Sequence, residues 1–323
     1  MMPEPMAPPE VHKRLEVIGY QANLNGENIP ITQFANLEEK RELKKATLDR
    51  FGGEIFRSVI RARDFDNNER LGKLGRLDRT ANGSDVESTL LRADSFGKKT
   101  METISTFPSV LTFAYTNLLS KEGDMVFDPF CGHNSRAEDV LFLNRKYYAY
   151  DVHKYPLKFT SERLGNYPRK NYDLNYASSE KVKYPDNTFD FSITCPPYFD
   201  VEDYNRLYEE EKHDDLSSKD YDSFLLIYDK CMSEVYRVLK PGAFFVIVVG
   251  DVHKNHKYTS LMLETIRLCQ KAGFSIHDIN IYNRSSNIGG DLNPRLFLEK
   301  LKRFPTIHEF ILVFKKPGGA NGV

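Results

Sequence analysis

From about residue 101 the chain alternates short apolar runs with segments of helical period. Residues 125–127 end at Asp128, 147–150 end at Asp151, and 189–194 run into Cys195-Pro196-Pro197-Tyr198. Residues 243–249 are continuously apolar, as in a parallel strand covered on both faces. Between these runs, 110–119, 136–144, 155–164, 224–239 and 261–272 carry apolar residues at helical spacing. Strands alternating with helices imply right-handed crossovers and a mostly parallel, doubly wound α/β sheet. The last two runs, 274–282 and 310–314, have no helical pattern between them and predict an antiparallel pair at one edge. Upstream the texture differs. Residues 1–12 read as a disordered tail. Residues 36–63, with Val59 and Ile60 among their apolar positions, carry a helical period broken at Gly52-Gly53. Residues 64–100 are polar and read as loop and short helix. The expected organisation is a tail over 1–12, a helical or irregular accessory region over 13–100, an α/β domain over 101–317 and a tail over 318–323.

Composition narrows the class only a little. Forty per cent apolar and 28% charged residues with a formal net charge of -1 are ordinary for a globular protein, so no global excess marks a nucleic-acid partner. Local charge says more: 40–79 is rich in Lys and Arg, and 200–222 is rich in acids. The four cysteines, Cys131, Cys195, Cys231 and Cys269, form no CxxC pair, so a structural zinc site is not expected and free thiols point to a reducing compartment. Residues 1–10 lack the basic start and apolar core of a signal peptide, and no apolar run approaches a membrane span. A cytoplasmic protein is expected, with no metal and no membrane.

Candidate chemistry gathers at two strand ends, the edge where open α/β sheets bind ligands. The first is strand, turn, helix, strand over 127–151. Gly132 in the turn lets backbone approach a ligand, and Asp151 is placed to accept hydrogen bonds from ribose hydroxyls. The segment lacks GxGxxG and the Walker pattern, which disfavours a dinucleotide or a P-loop nucleotide. The second is Cys195-Pro196-Pro197-Tyr198. Two prolines followed by an aromatic offer fixed carbonyl oxygens beside a flat stacking face, which suits a planar base whose amino group donates hydrogen bonds.

Phe107-Pro108 with 122–132, the stretch 189–198, Val235–Gly242 and His308–Lys315 together resemble the DNA amino-methyltransferases, which act on the exocyclic nitrogens of adenine or cytosine. The resemblance covers about 104–317, with the cofactor motif before the catalytic one. It implies a Rossmann-like methyltransferase fold with a seven-stranded, mostly parallel sheet, and S-adenosylmethionine as methyl donor. Phe107, Pro108, Asp128, Pro129, Phe130 and Gly132 would surround its methionine part and Asp151 would hold its ribose. Tyr198 would stack on a flipped base, with the Pro196 carbonyl and Cys195 facing the target amine and Pro197 completing the motif. Two departures stand out. Cys195 occupies a position usually held by Ser, Asp or Asn, and the glycine turn reads Gly132-His133-Asn134-Ser135-Arg136. His133 is a candidate ligand contact.

DNA is the implied partner. A basic segment between the last two strands, with Arg284, Arg295, Lys300, Lys302 and Arg303, is the candidate nucleic-acid surface, and the basic residues of 57–79 are a candidate clamp. A homodimer and a nuclease or other modification-system partner are compatible with the reading. Two alternatives stay open: a nucleobase modifier acting at pyrimidine carbon 5 or on RNA, and an inactive DNA-binding or assembly protein on the same scaffold.

Overall fold

The structure, a computed structural model, describes residues 107–132, 136–198, 216, 220–254, 257–283, 301–302 and 306–318, with strand residues 20–22, 28–30, 59–61, 89–93 and 99–103. The chain divides into two compact units, Met1–Phe56 and Arg57–Val323. In the first, β1 (Tyr20–Ala22) pairs antiparallel with β2 (Asn28–Pro30). The second contains β3 (Val59–Arg61) and an antiparallel pair, β4 (Thr89–Ala93) and β5 (Lys99–Thr103). It continues with α1 (Ser109–Leu119), β6 (Met125–Asp128), α2 (Arg136–Phe142), β7 (Lys146–Asp151), α3 (Lys154–Arg163), β8 (Tyr172–Tyr176) and β9 (Phe189–Thr194). After these come α4 (Tyr221–Val238), β10 (Leu239–Val249), β11 (Val252–Lys254), β12 (Lys257–Thr259), α5 (Leu261–Ala272), β13 (Ser275–Asn283) and β14 (His308–Lys315).

The main sheet has the order β3-β13-β14-β10-β9-β6-β7-β8. Only β14 runs against its neighbours: it pairs antiparallel with both β10 and β13, and every other pairing in this sheet is parallel. From β6 the chain builds outward through β7 to β8, then returns to lay β9 and β10 on the other side of β6. That reversal between β6 and β9 is the topological switch point, and open α/β sheets bind ligands at the C-terminal strand ends there. The fold is therefore the expected Rossmann-like methyltransferase sheet, seven strands with an antiparallel pair.

β3 extends that sheet to an eighth strand, beside Ile281–Asn283, so the antiparallel pair is not its outermost part. Val59 and Ile60, read above as helical, are strand residues here, as are 89–93 and 99–100, read as loop and short helix. Val and Ile suit a pleated strand, and a short apolar run does not distinguish a helix from a strand until a partner edge is available. The expectations for 1–12, 36–58, 64–88 and 319–323 lie outside the described residues.

One face of the sheet is dry. Helix α4 buries Phe224, Tyr228, Cys231, Met232, Val235 and Val238 along one side, and α5 buries Leu261, Thr265, Leu268 and Cys269. They pack with Phe127, Phe189, Phe245, Ile247, Val249 and Phe314 from four adjacent strands. Phe127 stacks on Phe189 with centroids 4.8 Å apart. Fully burying each such side chain stabilises by about 1.5–3 kcal/mol. Asp220 caps α4 by accepting from Ser223 N, Ser260 caps α5, and Gly273 ends α5 in the left-handed region. These caps fix the helices that brace β9 and β10, and with them the strand ends at the switch point.

Candidate functional site

The register brings the two motifs together. β6 and β9 pair in parallel through Val126↔Phe191 and Phe127↔Ser192. Beyond the last of these pairs, Thr194 Oγ1 donates to Asp128 Oδ1 at 2.6 Å. Asp128 is fully buried. The same oxygen accepts from Phe130 N at 3.1 Å. Its Oδ2 accepts from Arg136 Nε at 2.6 Å and from Tyr147 OH at 2.6 Å. Four donors fill the roughly four lone-pair directions of a carboxylate.

Arg136 makes this arrangement possible. It opens α2 with 1% of its surface exposed. Beyond Asp128 it donates through Nη2 to Phe130 O at 2.6 Å and Cys131 O at 3.1 Å, and its guanidinium lies 4.7 Å from the Phe107 ring centroid. Burial works against the charge, but Asp128 outweighs it and the guanidinium is held more firmly protonated than usual. Burial and the same carboxylate push the Cys131 thiol and the Tyr147 phenol upward, so both are neutral.

The rest of the first turn is fixed by backbone. Pro108 precedes α1, and its carbonyl accepts from Leu111 N at 3.0 Å. Pro129 O accepts from Ser179 Oγ at 2.5 Å, and Cys131 N donates to Tyr150 O at 2.8 Å. Phe130 is partly buried on the dry core, 6.3 Å from the Tyr228 ring. Gly132 has φ 54° and donates to Asp151 Oδ2 at 2.7 Å. Asp151 Oδ1 accepts from His153 N at 2.9 Å. Burial raises the Asp151 carboxyl to about 6, against the lowering effect of the His153 and Gly132 amides. Each of these two hydrogen bonds takes one lone pair of its oxygen, so acceptor directions remain on both.

The second turn follows Thr194. Cys195 is half-buried, with Sγ 3.9 Å from Pro196 O and 3.8 Å from Tyr198 OH. Pro196 is buried and Pro197 half-buried. Tyr198 OH donates to Glu309 Oε1 at 2.8 Å. Glu309 sits near the start of β14, which begins at this edge because it runs opposite to β10, with Phe310 facing Val249. The Tyr198 ring rests on Gly250, where an added Cβ would lie 3.3 Å from Cε2. Burial, Cys195 and Glu309 all raise the phenol well above its ordinary range, so it remains a donor.

The strand ends thus bring Phe107, Asp128, Phe130 and Arg136 into one bonded assembly, joined to the Cys195–Tyr198 turn through Thr194, with Gly132 held beside it on Asp151. Sequence reasoning missed Thr194, Arg136, Tyr147, Gly250 and Glu309. Two signals were legible: an arginine directly after the glycine turn, and an acid opening an otherwise apolar strand. Of the basic candidates, Lys302 is exposed with φ 51°. Arg284, Arg295, Lys300 and Arg303 lie outside the described residues, as do His133 and most of the acidic stretch. Among the described residues no group of His, Cys, Asp and Glu could hold a metal ion, and no helix is long and apolar enough to cross a membrane.

Residues 189–320, which include the second turn and Glu309, match the family model described as DNA methylase, of N6/N4 type. The orphan methyltransferase M.BamHII of Bacillus amyloliquefaciens is 29% identical over 42% of this chain and 42% of its own length. The type II beta methyltransferase M.BslI of a Bacillus species is 27% identical over 41% of this chain and 15% of its own. The chain therefore spans less than half the length of either relative. A solved SAM-dependent methyltransferase from Methanosarcina mazei aligns at 14% identity over 62% of this chain and 96% of that one, with a TM-score of 0.42. The matched segment forms β9 to β14 of the sheet described above, and over that span the chain is similar to the N6/N4-type DNA methylases.

Proposed function

We propose that the protein methylates the exocyclic amine of adenine or cytosine in DNA, using S-adenosylmethionine, on a base turned out of the helix. One observation carries this reading: the Thr194–Asp128 hydrogen bond ties the Cys-Pro-Pro-Tyr turn to the glycine turn at the reversal point of the sheet. Two loops joined by one short bond hold two reactants at a set separation, which is the main need of a transfer whose donor is already activated.

The residues fit such a donor in part. Asp151, desolvated and with acceptor directions left on both oxygens, suits a ribose diol. Asp128 is filled by protein donors, so in this reading it frames the site and does not touch the ligand. When bound, the donor supplies an electrophilic methyl group. The chain's own residues do the positioning. The Pro196 carbonyl and Cys195 accept from the amine and orient its lone pair. Tyr198 provides the stacking face, held by Glu309 at its hydroxyl and by Gly250 beneath its ring.

Mass analysis of nucleosides from DNA incubated with the protein and S-adenosylmethionine tests the reading. An N-methylated adenine or cytosine is expected. A carbon-5 product, or no product, overturns it. Cys195→Ser keeps turnover, because serine is the better acceptor. Tyr198→Ala loses about 1–3 kcal/mol of base stacking. Glu309→Leu lowers kcat with little change in donor affinity, and Tyr198→Phe masks its effect, since both remove the same bond. Additive losses in the double variant would exclude that role for Glu309.

A further inference from the structure

We infer that the β11–β12 hairpin is a DNA-backbone contact that engages phosphates beside the target base. The inference rests on the DNA-methylating reading above and adds an element that neither motif contains. The hairpin leaves the sheet directly after Gly250, the residue beneath the Tyr198 ring, so its base lies at the catalytic edge. Between Val252 and Ser260 there is no acid, and the paired strands carry His253, Lys254 and Lys257.

This is a built projection. Val252↔Thr259, His253↔Tyr258 and Lys254↔Lys257 pair in register. Asp251 locks the base: its carboxylate accepts from Tyr258 OH, from Ser260 Oγ at 3.2 Å and from Met262 N at 3.0 Å. The one carboxylate at the root is thus engaged internally. The Tyr258 ring is 54% exposed and lies 4.7 Å from the His253 imidazole, while the Lys257 ammonium sits 5.6 Å from the Tyr221 ring. Three residues of strand extend about 10 Å, enough to reach the first phosphates flanking a base held at Tyr198. A cationic, aromatic projection beside a base site has the chemistry of phosphate and sugar contact, which positions a duplex without reading its sequence.

The test is binding of the full chain to a long random-sequence DNA duplex, followed by anisotropy across a salt series. Relative to the unaltered protein, Lys254→Ala/Lys257→Ala should bind more weakly at low salt, with a log–log salt slope shallower by about 1–2. Lys254→Arg/Lys257→Arg should keep both affinity and slope. Thermal midpoint and affinity for S-adenosylhomocysteine should be unchanged in either variant, which separates lost contact from lost fold. An unchanged slope in the alanine variant, or no duplex binding by the unaltered protein, overturns the inference. Duplex binding with the expected slope change but no methylated nucleoside would sink the proposed reaction and leave the hairpin's role standing.

Discussion

Asp128 and Asp151 end adjacent parallel strands, yet their surroundings divide their work. Asp128 is dry and saturated, and its charge is balanced by an equally buried guanidinium. Removing one partner of such a pair leaves an uncompensated interior charge, so Arg136→Met should lower stability by about 3–5 kcal/mol. Urea unfolding measures this. Arg136→Met/Asp128→Asn should recover a large part of the loss, because the amide oxygen still accepts from Thr194 or Phe130. Asp151 is the opposite case, a carboxyl that burial lifts from 3.8 to about 6. Between those values the unfolded chain ionises while the folded one keeps its proton, so this group's contribution to stability is present at low pH and is lost as pH rises through 6. If Asp151 holds the donor's ribose as proposed above, donor binding runs the other way, because the carboxylate is the better acceptor for two hydroxyls. Affinity for S-adenosylhomocysteine should therefore hold above about pH 6 and fall below it. Calorimetry across pH 5–8 checks the direction, and a flat profile would remove Asp151 from the ligand.

At the scale of elements, the site depends on how α5 ends. Gly273 has φ 113°, and an added Cβ would sit 2.8 Å from Tyr236 Cζ on α4. Gly273→Ala combines backbone strain with a clash between the two helices that brace β10, and should cost about 1–3 kcal/mol. Gly123, with φ 86° and open space around it, separates the two causes: Gly123→Ala meets the strain alone and should cost about 1 kcal/mol. Thermal melts of the pair settle the comparison. Element patterns also explain what was readable from the chain. β6, β9 and β10 are buried strands and announce themselves as apolar runs. β8 reads Tyr-Asp-Leu-Asn-Tyr at the sheet margin, where polar residues are tolerated on both faces, so no run marks it. β11 and β12 are three residues each and polar. Their pairing comes from the lock at Asp251, which no local pattern shows.

Over the whole molecule, the order of strands was legible because crossover handedness and burial leave few alternatives. The motif residues were legible because chemistry restricts their types. What stayed hidden were partners brought from far along the chain, such as Thr194 to Asp128 and Glu309 to Tyr198, since register decides them. Both faces of the sheet are covered by apolar side chains, and within that interior Asp128, Arg136, Tyr147, Ser192 and Thr194 form a buried polar group around the β6–β9 junction. β14 joins the distant parts. It is the last described strand in the chain, yet it sits between β10 and β13 and carries Glu309 to the Tyr198 hydroxyl. During synthesis a growing polypeptide therefore holds both motifs long before it can close the sheet or anchor the Tyr198 hydroxyl. That anchor arrives late, once nearly the whole second unit has left the ribosome.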